Sequence, residues 1–472
     1  MIHAFPIAMG RFVLLFVLGF STVASAAVVS YGPVPGLTTS DEIAVTVNGE
    51  SVWVEGYSSN FRPDQVPDWF LSQEYTRPPQ RVNIANFSSS GAMEVEVRTH
   101  KPIESYAIRP TSRQIKSTCD GKALRFRLSG PDKLYIEIEG LTPLCLFANP
   151  AEENVPKAAA ENVVYFGPGV HRPGPITLKD NQTLYIAGGA VVYGSISGSP
   201  KHAHVVGRGI LDGEYRQRLV QLTKASEVRF EGVILRNGRS WQNTLTECDN
   251  ITYENVKVIS FGNSGDGINP VGSRDVTIRN CFLRCTDDCI AIKTPGKAQT
   301  VEQIRVLDNT LIGYAFGDGV TIGFETNGPY IRNVLVKNCD ILIARGGNRV
   351  DGHSAFSIIC DGPSWITDVR YEDIRVEADV LKLFELQVTD GTKYQDDPPG
   401  HIRGVYLKDI RWAADRPIIL KGFDAQHLVE GVTFDNCSVA GKPLRSRADA
   451  SFQVNDSVRG VEFKPPETAK VR

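Results

Sequence analysis

Val228-x-Phe230-x-Gly232-Val233-x-Leu235 is followed by Ile251-x-Tyr253-x-Asn255-Val256-x-Val258, and then by Val276-x-Ile278-x-Asn280-Cys281-x-Leu283. Each stretch alternates apolar and variable positions, turns at Gly or Asn, and resumes with a small apolar residue. A weaker copy starts at Ile304. Others start at Val334, Val369, Val405 and Val432, the last reading Val432-x-Phe434-x-Asn436-Cys437-x-Val439. Successive starts lie 23, 25, 28, 30, 35, 36 and 27 residues apart. A period-2 strand that recurs while only its connections vary predicts a solenoid of β coils. One coil cannot bury its inner side chains alone. Stacked coils bury them jointly, each inner residue resting on its equivalent roughly 4.8 Å away. Cys281, Cys339 and Cys437 share the position of Val233 and Val256, which predicts interior packing for these thiols rather than metal or redox chemistry. The column Asn255, Asn280, Asn338 and Asn436 predicts a stacked amide ladder at a bend.

Upstream, Val163 to Ser199 and His204 to Gly213 continue the series as opening turns. Before them the texture changes. IAVTVNG, SVWVEGY, RVNIANF, MEVEVRTH, SYAIRP, LRFRLSG and LYIEIEG alternate strictly and are separated by turn residues. That is the pattern of an antiparallel sandwich with one buried face per sheet. The stretch from Asn149 to Pro156 reads as a linker. The expected fold is therefore all-β: a small antiparallel β-sandwich over 27–156, then a right-handed parallel β-helix over 157–472.

Composition agrees. The chain has 472 residues, 42% of them hydrophobic, with 43 Gly, 27 Pro and only 3 Met. This suits a large packed core and counts against a helical bundle or a disordered chain. Lys and Arg number 51 against 54 Asp and Glu, a formal charge of −3. So even a balance gives no electrostatic case for nucleic acid or an anionic membrane as partner. Residues 1–26 read as a secretory signal peptide. Arg11 is the positive flank, Phe12 to Phe20 the apolar stretch, and Ala24-Ser25-Ala26 the cleavage pattern. The expected protein is exported, secreted or periplasmic, and monomeric. Nine cysteines in an exported chain permit disulfides. Cys119 and Cys145, the two in the N-terminal third, are the expected pair.

The chemistry concentrates in three segments, Ser264-Gly265-Asp266-Gly267-Ile268, Thr286-Asp287-Asp288-Cys289-Ile290-Ala291-Ile292-Lys293 and Gly317-Asp318-Gly319-Val320-Thr321-Ile322. Aligned on their strands, they put Asp266, Asp288 and Asp318 in one column on successive coils, with Asp287 one residue earlier. Neighbouring coils would hold Asp266 and Asp288 about 5 Å apart, and Asp266 and Asp318 about 10 Å apart. Acids this close cannot all ionise cheaply, so at least one pKa should rise. One protonated and one ionised carboxyl is what glycoside hydrolysis needs, with a bell-shaped rate profile on the acidic side of neutrality. Clustered acids also suit Ca²⁺, but no metal or cofactor is expected here. Trp241 and Tyr314 are candidates for stacking on sugar rings.

These motifs carry a resemblance. Ser240-Trp241, Cys248-Asp249-Asn250-Ile251, Ser264-Gly265-Asp266-Gly267-Ile268 and Asp287-Asp288-Cys289-Ile290-Ala291-Ile292-Lys293 occur in order on a compatible repeat. The region from Val163 to Val439 resembles the polygalacturonase-like glycoside hydrolases, family 28 and its β-helical relatives. The sandwich, Phe147-Ala148-Asn149-Pro150, Phe166-Gly167-Pro168-Gly169-Val170-His171 and Gly188-Gly189-Ala190-Val191-Val192 are similar to the layout of the dextranase family 49. The resemblance implies a hydrolase of a polysaccharide or oligosaccharide that inverts the anomeric centre. It implies that Asp287 is the general acid and that Asp266 and Asp288 hold and deprotonate water. Asp318, Lys293, His353 and Trp241 are the expected substrate contacts.

The chain departs from that family twice. Gly317-Asp318-Gly319 stands where the family carries Gly-His-Gly. The Arg-x-Lys that grips a uronate has no clean copy, the nearest segment being Arg349-Val350-Asp351-Gly352-His353. A uronate needs paired cations, so the expectation moves toward a neutral or differently decorated glycan. Two other classes stay open: a polysaccharide lyase on the same fold, and a carbohydrate-binding β-helix without catalysis.

Overall fold

The computed structural model describes residues 27–66, 68, 80–345, 353–392 and 398–465. The expected signal peptide over 1–26 lies outside them, as do Arg349 to Gly352. Among the described residues no helix is long and apolar enough to cross a membrane.

From Val163 onward the chain forms a parallel β-helix. Among the described residues 31 strands join into one wound sheet. All eight repeat starts align in one ladder: Val228, Ile251, Val276, Ile304, Val334, Val369, Val405 and Val432 pair directly, coil on coil. Val461 adds a further rung. The eight are at most 1% exposed. Register is fixed because a slip of one residue would turn this whole ladder to solvent.

The second column holds Val233, Val256, Cys281, Cys339 and Cys437, all buried. In the weaker copy its place is taken by Asn309. That amide is tolerated because it is bonded, accepting from Cys281 N at 2.8 Å and donating to Ile278 O at 2.9 Å. The bend before this column is left-handed: Asn255, Asn280, Asp308, Asn338, Asp373, Asp409 and Asn436 have φ from 49° to 59°. Asn and Asp suit that conformation best among residues with a Cβ. A continuous amide ladder, however, does not form. Asn338 donates to Asp308 at 2.7 Å, an amide-to-carboxylate step. Asn255 and Asn280 both accept from Lys133 of the sandwich.

The N-terminal strands make two sheets. Five lie at Ile43–Val47, Glu50–Val52, Met93–Thr99, Ser117–Asp120 and Ala123–Leu128. Six others lie at Val28–Ser30, Val54–Ser58, Arg81–Ser89, Tyr106–Arg109, Asp132–Ile138 and Leu144–Asn149. Pairing is antiparallel except between Arg81–Ser89 and Leu144–Asn149, which run parallel. Val45, Val95, Phe126, Ile136 and Leu146 fill the space between the sheets.

The six-stranded sheet has a second buried face. Val82, Ile84, Tyr135, Cys145 and Phe147 pack on Val191, Ile210, Ile234, Ile259, Phe282, Ile312 and Leu342 of successive coils. The sandwich thus lies along the flank of the helix rather than over its first coil. Ionic groups pin the seam. Arg236, fully buried, donates to Asp212 and to Glu55 of the sandwich, each at 2.7 Å, and lies over the Tyr57 ring.

This arrangement corrects the expected disulfide. All nine cysteines are free, Cys119 exposed and Cys145 buried. Cys119 sits on the edge strand Ser117–Asp120 of one sheet. Cys145 points from the other sheet toward the helix, away from the sandwich interior. Stacked sheets stand about 10 Å apart, and a disulfide spans Cα atoms no more than about 7 Å apart.

Candidate active site

The acidic segments occupy the turns that lead into one floor of the helix. The floor strands Ile268–Val271, Ile290–Thr294, Val320–Thr326 and Phe356–Cys360 are paired through Ile268, Ile290, Val320 and Phe356. The turns stack as tightly as the strands. Gly267 N donates to Asp288 O and Cys289 N to Asp318 O, both at 2.8 Å. Gly317 makes this possible: a Cβ there would stand 1.9 Å from the Asp287 carbonyl carbon. Ser260 braces the middle turn, accepting from Thr286 N at 2.9 Å.

Asp266, Asp287 and Asp288 converge, with one carboxylate oxygen of each within 4.8 Å of the others. Asp266 and Asp288 are 3% and 5% exposed, while Asp287 is half-buried and opens the cluster to solvent. Burial first, then the charges of Asp287 and Asp288, push the Asp266 carboxyl well above the ordinary carboxylate range. Burial, Asp287 and Asp318 raise Asp288 to about 7. The cluster therefore retains protons at pH values where isolated aspartates have lost them.

Asp318 and His353 form a second shell of charge above Asp288. Asp318 is fully buried and accepts from Ser354 N at 2.8 Å and from the Ser357 hydroxyl. His353 Nδ1 stands 3.6 Å from the Asp318 carboxylate, an ion-pair distance too long for a hydrogen bond. Burial works against the imidazolium, but Asp318, then Asp288 and Asp287, outweigh it and raise the His353 pKa. The coil after Asp318 thus brings an imidazole to the place beside Asp288. One atom each of Asp288, Asp318 and His353 also lie within 4.8 Å of one another. Either triad has donor atoms close enough for a hard divalent cation.

Lys293 and Trp241 sit on the other side of the acids. Lys293 Nζ lies 4.7 Å from the centre of the half-buried Trp241 ring. It also donates to Glu325 at 2.7 Å. Glu325 was not legible in the sequence. Ile292 pairs with Ile322 and Thr294 with Thr326, so Lys293 faces three residues on the next coil. This bulge, with Glu325 left-handed at φ 61°, turns the carboxylate onto Lys293. No sequence signal marks it.

Tyr314 is not at the site. It is 4% exposed, lies beneath the sandwich, and donates its hydroxyl to Gln80 at 2.8 Å. Cavities of about 490 Å³ and 560 Å³ lie on the sandwich and at the linker, and the acids line neither.

Fold and site together describe a parallel β-helix that carries a cluster of three aspartates at the turns into one floor. The family described as Glycosyl hydrolases family 28 matches residues 172–443, more than half of the chain. The chain belongs to that family. The endo-polygalacturonase of Pectobacterium carotovorum subsp. carotovorum is 24% identical over 245 residues, 51% of this chain and 55% of that protein. The polygalacturonase of Medicago sativa is 29% identical over 147 residues, 30% of this chain and 32% of that protein. The chain thus spans about half the length of the first relative and a third of the second. Among solved structures, Dex49A from Penicillium minioluteum superposes with a TM-score of 0.57 at 12% identity, covering 92% of this chain and 96% of that one. That likeness concerns the fold and takes in sandwich and coils alike.

Proposed function

We propose that this chain hydrolyses glycosidic bonds of a polysaccharide by single displacement. The observation that carries the reading is the convergence of Asp266, Asp287 and Asp288 within the segment that matches family 28. Asp287, the solvent-facing member, protonates the leaving oxygen. Asp266 and Asp288 hold a water molecule and take its proton as it attacks the anomeric carbon. Asp288 is already oriented by the Asp318 N–H at 2.9 Å. Their burial favours water as nucleophile, because water reaches a recessed carboxylate more easily than an anomeric carbon does. Export rests on the apolar segment Phe12 to Phe20 and on Ala24-Ser25-Ala26.

Inverting pairs generally stand about 6.5–9.5 Å apart, which leaves room for a water, and retaining pairs about 5–5.5 Å apart, which leads to a covalent intermediate. Digestion of a glycan panel with anomer-resolved NMR decides between them: the inverted anomer as first product supports single displacement, and the retained anomer overturns it. Absorbance from an unsaturated product, lost on chelation, would instead identify a lyase.

A further inference from the structure

The corner where the later floor strands end carries rings that the acid cluster does not use. Phe356–Cys360 leads to Trp365, Phe384–Val388 to His401, and Ile418–Lys421 to Phe423 and His427. These three strands pair in that order, coil on coil, and the first lies two coils beyond the strand that follows Asp288. The rings meet across the coils. Trp365 is stacked on His401, with centres 4.0 Å and planes 17° apart. The His401 and His427 centres stand 5.5 Å apart, and those of His427 and Phe423 6.2 Å. The strip spans three coils, about 10 Å along the stack.

The strip is held in place by the fold. Strand pairing sets Trp365 level with His401. Asp424 Oδ1 lies 2.9 Å from His427 Nδ1 and accepts from His427 N at 2.8 Å. Yet Trp365 and Phe423 are 46% and 42% exposed, and they are the only aromatics among the exposed large hydrophobic side chains of the described residues. Together they leave roughly 200 Å² in water. A stable protein partner needs roughly 800 Å² from each side, so the strip is too small for a second protein. A sugar chain fits it. The C–H faces of sugars lie on aromatic rings, and their hydroxyls seek donors and acceptors at the border. Asp424 supplies an acceptor, and Arg403, two residues on from His401 and on the same face of its strand, supplies donors; both are exposed. The strip also continues the floor that carries the acids, in a chain of a glycosyl hydrolase family.

We propose that Trp365, His401, His427 and Phe423 form a second carbohydrate site, outside the acid cluster, on which a polysaccharide chain rests while another part of it occupies the acid turns. The grip on polymer stands whether or not the acids cleave it. The help it gives to turnover rests on the hydrolase reading.

Binding and turnover test the two parts separately. Affinity electrophoresis and calorimetry are run on Asp287→Asn protein with soluble polymers (dextran, pullulan, xylan, polygalacturonate), before and after adding Trp365→Ala or Phe423→Ala. The expected result is that a polymer binds and that each ring replacement weakens it about tenfold, with the melting midpoint unchanged. Trp365→Phe should keep most of the binding. With Asp287 intact, Trp365→Ala should raise KM for the polymer about tenfold, leave its kcat unchanged, and leave the kinetics on short oligosaccharides of the same sugar unchanged. A panel in which no polymer binds overturns the proposal, and so does binding that neither replacement moves. Short-oligosaccharide kinetics that fall as far as those of the polymer also overturn it, because the rings would then be acting on the acid site. So does a dimer in sedimentation that Trp365→Ala dissociates, which would make the strip an interface between copies. Polymer bound through the rings but never cleaved leaves the second site standing and removes the hydrolase reading instead.

Discussion

Asp288 Oδ1 accepts the backbone N–H of Asp318 at 2.9 Å, a bond that ties one coil's acid to the next coil's chain. One oxygen of Asp288 is thereby committed to holding position. In the proposed mechanism the other takes the proton of water, and a carboxyl raised to about 7 by burial and by its acidic neighbours is a base fixed in place before substrate arrives.

Replacing Asp287 by Asn should remove the proton donor and little else, since Asp287 is the member of the cluster open to solvent. We expect kcat to fall by about 10²–10⁴-fold, with the unfolding midpoint unchanged. Steady-state kinetics and thermal melts check both. An Asp287→Asn protein of near-normal kcat refutes the role.

The rate should follow a bell-shaped pH profile centred nearer neutrality than isolated aspartates would give. Asp288 acts as base only when ionised, so the acid limb rises as pH climbs through about 7. The alkaline limb marks loss of the last proton from the cluster. His353⁺ lowers the Asp288 pKa. In His353→Gln the proton is held more tightly, and the acid limb should move upward by about one pH unit. A limb that stays in place while kcat falls would show His353 to be structural.

The free thiols make a plain chemical prediction. A thiol reagent should find one fast site, Cys119, in the folded protein, and nine after unfolding in guanidinium. Fewer than nine without reductant would mean that a disulfide exists.

Arg236→Ala should destabilise the molecule by about 3–5 kcal/mol, because Glu55 and Asp212 would remain buried without their shared cation. Denaturant unfolding measures it. A loss under about 1 kcal/mol would show that water relieves those carboxylates.

The ladder from Val228 to Val432 was readable because an inward-facing column must repeat in kind, whatever the length of the loops between. The Asp266, Asp288 and Asp318 column was readable for the same reason: DGI, DCIAI and DGVTI share one strand frame. Glu325 was not, because a bulge breaks that frame and the sequence shows only a glutamate among glycines and threonines. Leu144–Asn149 is buried at every position, and its unbroken apolar run carries no alternation that would mark one face. What covers its second face depends on residues from Val191 to Leu342. The pairing of Cys119 with Cys145 failed because nearness along the chain says nothing about which side of a sheet a thiol occupies.

The flank contact of the sandwich has a practical consequence. A coil stack cut free at Val163 would turn Ile210, Ile234, Ile259, Phe282 and Ile312 out to water as one continuous greasy stripe. Such a fragment would stick to its own copies before it could be assayed. The N-terminal sandwich is a splint bonded along the coils from Val191 to Leu342, and the two parts must be produced, mutated and evolved together.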